Sequence, residues 1–252
     1  MAKSSSWVPR QHGAWAMLLV PSIVGVALAS RVRPLGWADL TLCLTWLVGY
    51  FAFSAAVLVL KSTPKRRGRH YSALATYGVA AAALGVATLI LRGPTLLWWV
   101  PVYALLLGPA LWWAATRRER SLASGVTTVL ASCGLMAVLR LVPGAPQPTA
   151  SEWALMAIVT LYFVGTVLHV KALIRERNDP TSARRSVAYH ATVAALIVAA
   201  IAVGWLGWPW ILFAVALPAR AWWMPRAPRR PMQIGLLEVA LSVALLALAV
   251  WA

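Results

Sequence analysis

The densest run of side chains able to do chemistry is His169, Lys171, Arg175, Glu176, Arg177, Asn178 and Asp179, closed by Pro180. A helix carried on to the proline sets Lys171, Arg175 and Asn178 on one face at i, i+4 and i+7. It sets His169 and Glu176 on another face and makes Arg175 and Asp179 an i, i+4 pair. Cations on one face suit a phosphate, with Glu176 or Asp179 tuning them or holding a metal. The competing reading is a solvated, self-paired basic loop. A second run, Lys61 to His70 and Tyr71, carries Lys65, Arg66, Arg67 and Arg69 and no carboxylate. It reads as a lipid-contact and orientation loop, or as the other half of the same anion site. His12, in Pro9-Arg10-Gln11-His12-Gly13, stands at the mouth of the first apolar run as an acid/base group or a polar lock between helices. His190 lies about one turn into the seventh apolar run and is able to join that rim. Glu238 is the one acid well inside an apolar run. Its simple partners are Arg229, Arg230 or Gln233, and its sharper role is to carry a coupling proton.

Other chemistries lack support. There is no GxxxxGK[ST], GxSxG or HExxH pattern and no Cys/His spacing for zinc. No metal site is expected, and the residues name no cofactor. Cys43 and Cys133 lie in apolar runs and read as small buried thiols.

These groups need elements to position them, and composition says which. The 252 residues are 61% apolar and 12% charged, against about half and a quarter in soluble domains. A spanning helix needs ~20 mostly apolar residues. Nine runs qualify: His12–Ser30, Ala38–Leu60, Ser72–Leu91, Thr95–Ala115, Leu122–Leu141, Glu152–Ile174, Val187–Trp205, Trp208–Trp223 and Ile234–Trp251. The eighth is short and holds Pro209 and Pro218. The expected architecture is all-α, one transmembrane domain over residues 1–252 with a polar tail over 1–11.

The chain has 23 Lys and Arg against 6 Asp and Glu. Nineteen of those cations, Arg220 among them, fall in the tail and in alternate gaps between runs. The opposite gaps hold only Arg31, Arg33, Arg92 and Arg140. That asymmetry predicts a cytoplasmic N-terminus. It assigns the net charge of +17 to topology and anionic lipid, with no nucleic-acid partner. Trp37, Trp98, Trp99, Trp112, Trp113, Trp205, Trp208, Trp222 and Trp223 fall at the ends of runs, where an indole settles between hydrocarbon and head groups.

A weak internal repeat is visible. Val57 to Lys61 and Val167 to Lys171 are matching exits, each followed by a basic stretch and then Tyr77 or Tyr189. Ala82-Ala83-Leu84 and Ala194-Ala195-Leu196 also match. Duplicated membrane folds often place their site between the halves.

The segment Trp7 to Pro21, the Lys171-x-x-x-Arg175-Glu176-Arg177 core and the Gln233 to Glu238 tail resemble the YwiC-like bacterial membrane proteins over essentially the whole chain. That family implies a bacterial cytoplasmic (inner) membrane and no established activity. More distantly, the chain resembles the UbiA-type intramembrane prenyltransferases. They also have nine helices, with polar motifs after the second and sixth. Their Asp-rich motifs hold magnesium and a prenyl diphosphate. Here the second exit has no aspartate and the sixth offers only Glu176 and Asp179. The resemblance therefore implies the architecture without the metal pair.

The expected function is binding of an anionic lipid or isoprenoid phosphate in a basic cavity facing the cytoplasm, as a transferase-like enzyme. Lys61, His70, Lys171, Arg175, Asn178 and Asp179 would bind the ligand, and His12, His169 and Glu176 would do the chemistry. The alternative is a transporter for a small anion or metabolite, with Glu238 and the histidines carrying protons.

Overall fold

The computed structural model describes residues 7–9, 12–119, 121–227 and 229–251; the side chain of His12 lies outside what is described. Among the described residues the structure is all-α, with no strand. The helices are α1 (His12–Ser30), α2 (Trp37–Lys61), α3 (Pro64–Arg92), α4 (Trp99–Ala115), α5 (Leu122–Arg140), α6 (Ala150–Ile174), α7 (Pro180–Ala202), α8 (Trp210–Trp223) and α9 (Pro231–Trp251). Short 3-10 turns precede α4 and follow α8. Eight helical segments are long and apolar enough to cross a membrane, which makes this a multi-pass membrane protein. The exception is α8, whose 14 residues reach only ~21 Å against a ~30 Å hydrocarbon core.

Two expected boundaries move. The basic run after Lys61 is not a loop: α3 begins at Pro64, so Lys65, Arg66, Arg67, Arg69 and His70 occupy its first two turns. Likewise α7 begins at Pro180 and takes in Arg184 and Arg185. Both helices open with proline at the first position, where its missing N–H costs nothing, and Lys and Arg are good helix formers. By contrast α6 ends at Ile174, where the expected run ends, with Arg175 as its C-cap, and does not carry on to Pro180.

The chain divides into two compact units, Met1–His12 with Ala29–Ala131, and Gly13–Leu28 with Ser132–Ala252. In the first, α2 and α3 form an antiparallel hairpin through Ser62 and Thr63. The Thr45 and Thr88 hydroxyls meet at 3.1 Å across it. Asp39, at the third position of α2, receives Arg33 at 2.5 and 2.7 Å, Arg92 at 3.2 Å and the Gly36 N–H at 3.1 Å. One carboxylate thus ties the loop before α2 to the last residue of α3. Trp46 meets Tyr103 of α4 edge-on at 5.5 Å.

The second unit has the larger core, with Val24, Leu28, Leu135, Leu139, Val159, Phe163, Ile197, Leu217 and Leu245 buried. Gly25 lets α1 approach α5 closely: a Cβ there would lie 2.9 Å from the Met136 Cα. Ser132 donates to the Met17 carbonyl at 2.6 Å beside it. At the start of α6, Thr149 and Glu152 form a reciprocal capping box. Glu152 also takes Arg140 side-on, Nε to Oε1 at 2.8 Å and Nη2 to Oε2 at 2.9 Å. The remaining Arg140 donors reach the Pro146 carbonyl at 2.7 Å and the Gln147 carbonyl at 3.5 Å. The guanidinium is buried, and each of its nitrogens has an acceptor.

Such a pair is worth little against apolar replacements, but half of it is costly. Arg140→Ala is expected to lower stability by about 3 kcal/mol by stranding Glu152, whereas the double change Arg140→Met with Glu152→Met costs clearly less. Thermal unfolding of the detergent-solubilised protein measures both. Equal losses in the two variants would show that the pair is not what holds α5 to α6.

Candidate functional site

The second unit gathers its polar interior groups at one end of four helices: the last turns of α6 and α8 and the first turns of α7 and α9. At 1.5 Å per residue, Glu238 lies about 10 Å into α9 and His169 about 8 Å back from the end of α6. At the centre is Arg220, buried in the last turn of α8. Its Nη1 donates to both Glu238 oxygens at 2.6 Å. Its Nη2 donates to His190 Nε2 at 2.9 Å. A guanidinium has no lone pair to offer, so His190 Nε2 carries no proton. The ring's proton sits on Nδ1, which donates to the Ser186 carbonyl at 2.7 Å. His190 is therefore neutral.

The network continues on both sides. Thr166 of α6 donates to Glu238 Oε2 at 3.1 Å. Tyr162, one turn earlier, lies with its ring centroid 5.9 Å from the Arg220 guanidinium carbon. Its hydroxyl meets Ser242 at 3.1 Å. Ser242 donates to the Glu238 carbonyl at 2.7 Å. His169, fully buried, places Nδ1 3.0 Å from the Ser186 hydroxyl and Nε2 3.5 Å from the Met224 sulfur. Sulfur accepts but does not donate here, so Nε2 carries the His169 proton and Ser186 donates to Nδ1. Ser186 thus bridges both histidines, with its hydroxyl to one and its carbonyl to the other. Gly165 makes the approach of α7 to α6 possible, since a Cβ there would lie 2.9 Å from His190 Nε2 and from Tyr189 Cε1.

Above the network lies the rim where α6 joins α7. Lys171 pairs with Glu176 at 2.5 Å, and Glu176 also accepts from Ser182 at 2.6 Å. The Lys171 ammonium first, and the Ser182 hydroxyl next, hold the Glu176 carboxyl below its ordinary range. That interaction is therefore intact at neutral pH and is lost as pH falls through the lowered value. Asp179 caps α7, accepting the Thr181 N–H at 2.9 Å, and is not the i, i+4 partner of Arg175 that a longer α6 would make it. Because α6 ends at Ile174, Lys171, Arg175 and Asn178 do not form one helical face. Arg175, Asn178 and Asp179 are exposed. At the end of α8, Arg226 donates to the Trp222 carbonyl and stacks on its indole, and Arg229 lies 4.1 Å from the Trp223 ring centroid.

Of the residues singled out from sequence, the structure joins His169 to the buried network and Lys171 to Glu176 at the rim. Both His169 ring nitrogens are occupied and its side chain is sealed, so as it stands it does not face a ligand. Lys61 and His70 belong to the first unit, where Lys61 lies 3.9 Å from Glu119 and His70 is buried in the second turn of α3. His12 is placed only as the first residue of α1. Glu238 is buried as expected, but its partner is Arg220 and not Arg229, Arg230 or Gln233. Reading Arg220 as a loop cation missed it, because Pro218 and the following Trp222-Trp223 look like a helix boundary. The available signal was charge balance: an acid inside a span needs a base inside a span. Among the described residues, no three His, Cys, Asp or Glu side chains cluster as a metal site would.

No solved structure matches this chain. Two full-length relatives do. An uncharacterized protein of Bacillus subtilis (strain 168), YwiC, is 29% identical over 92% of both chains. An uncharacterized protein of Haemophilus influenzae is 27% identical over 93% of both. The YwiC-like protein family itself matches residues 8–140, more than half of the sequence. The chain belongs to the YwiC-like family.

Proposed function

We propose that this membrane protein binds a phosphate-bearing lipid or isoprenoid at the basic helix ends of its second unit. One observation carries the reading: exposed cations at the α6–α7 junction and along the first turns of α7 stand over a buried Arg/Glu/His network on the same helix ends. The rim has more positive charge than its acids absorb. Glu176 is committed to Lys171, and Asp179 to the α7 backbone. Arg184 and Arg185 sit near the N-terminus of α7, where the helix field is already positive. Cations there repel the helix end and each other, and a bound phosphate relieves both. A similar patch of Lys65, Arg66 and Arg69 opens α3 in the first unit, next to Lys61 and His70.

A UbiA-type transfer reaction is the catalytic extension of this proposal. Glu176 is then the accessible acid/base group. The test is binding of a long-chain alkyl phosphate to the full chain in lipid nanodiscs. Lys171→Ala with Arg175→Ala should weaken it at least tenfold while thermal stability holds. Unchanged affinity in that variant removes the reading.

We also propose that the basic ends face the cytoplasm of a bacterial inner membrane. Arg33, Arg92 and Arg140, three of the four cations assigned to the other side, are ion-paired with Asp39 and Glu152, which cancel two of those charges. Net charge is thus even more one-sided than the count of cations. Cysteines placed at Ser4 and at Ala145 should label from opposite sides of spheroplasts, with Ala145 outside; the reverse pattern inverts the topology.

A second reading, proton-coupled transport, draws on a different observation. His169, Ser186, His190, Arg220 and Glu238 form a hydrogen-bonded chain inside the helices. Proteoliposomes should then take up an organic phosphate faster with an inward proton gradient. Equal uptake with and without the gradient rules coupling out.

A further inference from the structure

We propose that Arg220 and Glu238 form an exchange site in which an oxyanion takes the place of the Glu238 carboxylate on Arg220, and Glu238 takes up one proton as it leaves. This deepens the anionic-ligand reading and rests on it: the ligand's phosphate is the oxyanion.

The argument starts from a comparison of two buried pairs in the same unit. Arg140 holds Glu152 by its side-on fork, and its spare nitrogen donates to a loop carbonyl. Glu152 is fixed in turn by the Thr149 backbone N–H at 2.8 Å. That pair is saturated. Arg220 is not. It holds Glu238 end-on through Nη1 alone, so the stronger side-on edge is unused. Its Nε is buried and has no hydrogen-bond partner among the described residues. Its Nη2 is spent on a neutral imidazole. Among the described residues Glu238 has no backbone donor and is held by the side chains of Arg220 and Thr166. Arg220 also follows Pro218 by two residues. Pro218 cannot donate to the Ala214 carbonyl, so the last turn of α8 is less firmly tied than an uninterrupted helix.

Charge conservation then sets the coupling. Arginine stays protonated in proteins. If Glu238 alone were protonated, a buried guanidinium would be left uncompensated, at high cost. If an anion alone entered, two negative charges would face one positive. Only anion and proton together keep the site neutral: Arg220⁺ with Glu238⁻ becomes Arg220⁺ with the anion and neutral Glu238. The other titratable groups facing the pair do not substitute. His190 presents its bare Nε2 to Arg220 and must break that bond to be protonated. Tyr162 faces it with ring and hydroxyl from α6. His169 stands behind Ser186, its ring centroid 5.6 Å from that of His190.

The experiment uses the full chain in phosphatidylcholine nanodiscs and calorimetric titration with phosphodiesters, whose single charge does not change in the range examined. Dioctyl phosphate is the lipid-borne arm and dimethyl phosphate the water-borne arm. Over roughly pH 5 to 8, the wild-type affinity for the arm that binds should rise up to about tenfold per unit fall in pH, the signature of one linked proton. Titration in buffers of different ionisation enthalpy should count about one proton taken up per anion. Glu238→Gln, which keeps the shape and the Thr166 contact, should bind at least tenfold tighter at neutral pH, without pH dependence and without proton uptake. A slope in the dioctyl arm alone assigns a lipid ligand; a slope in the dimethyl arm assigns a free oxyanion. Binding that is flat with pH and takes up no proton in the wild type overturns the exchange and leaves the anionic-ligand reading standing. A slope that survives Glu238→Gln but is lost in His190→Gln overturns the role of Glu238. No binding of either phosphodiester overturns both the exchange and the reading beneath it. The proton count needs only the wild type, so the proposal is tested even if a variant does not fold.

Discussion

Charge in an apolar medium must be paired, and this chain has only six acids to do it. Every one is committed. Asp39 serves Arg33 and Arg92, Glu119 serves Lys61, Glu152 serves Arg140, Glu176 serves Lys171, and Glu238 serves Arg220. Asp179 caps a helix. Where burial is deepest, at Arg140 and Arg220, both carboxylate oxygens of the partner are bound, because a lone charge there would cost several kcal/mol, on the order of the whole stability of a small domain. The cations left over are confined to helix ends, where water or lipid head groups can solvate them. The position of six carboxylates therefore decides which basic residues enter the helices and which stay at the rim.

The same economy shapes both units in parallel. In each, a 25-residue helix, α2 or α6, opens with an acid at its third position that receives an arginine contributed by the preceding segment. Each carries a lysine in its last turn, and each is followed by a helix with proline first. Then comes a helix interrupted by proline and closed by a Trp-Trp pair, Pro109 with Trp112-Trp113 and Pro218 with Trp222-Trp223. The two copies differ at the second residue after that proline: Leu111 in the first unit, Arg220 in the second, where Ala221 adds one residue before the tryptophans. The second unit adds α9, and with it Glu238. Base and acid are thus the two features that set the second unit apart from the first, and they meet each other.

The legible part of this structure was the part written in hydrocarbon. Long apolar runs gave all nine helices, several within a residue or two, because a helix is the one structure that satisfies a spanning segment's backbone within the segment itself. What failed was the edges. Pro64 to His70 and Pro180 to Ser186 are helical, yet their polarity makes them look like loops. A basic run says where the hydrocarbon stops, not where the hydrogen bonding stops. The site was legible by half. Glu238, His169 and Lys171 stood out because each is an unusual residue for its depth. Arg220 did not, since an arginine beside two tryptophans at a helix end matches ordinary snorkelling. Its burial depends on where α9 packs and brings Glu238, which is not a local property of the sequence.

Pairing alone does not say whether a buried charge is structural or poised to act; completeness of its hydrogen bonds does. Arg140 is held by one carboxylate and two loop carbonyls, and its partner by a backbone amide, so loosening any one bond leaves the others in place. The Arg220 constellation draws on side chains from four helices and closes on a neutral histidine, with one donor unspent. Its geometry thus depends on α6, α7, α8 and α9 together. Whatever changes the charge on Glu238 acts on the packing of all four helices at once. Conversely, a ligand that shifts those helix ends changes what Glu238 sees. A saturated pair lacks that reciprocity. This is the physical distinction between a staple and the exchange site proposed for Arg220 and Glu238, and the two pairs lie within one unit.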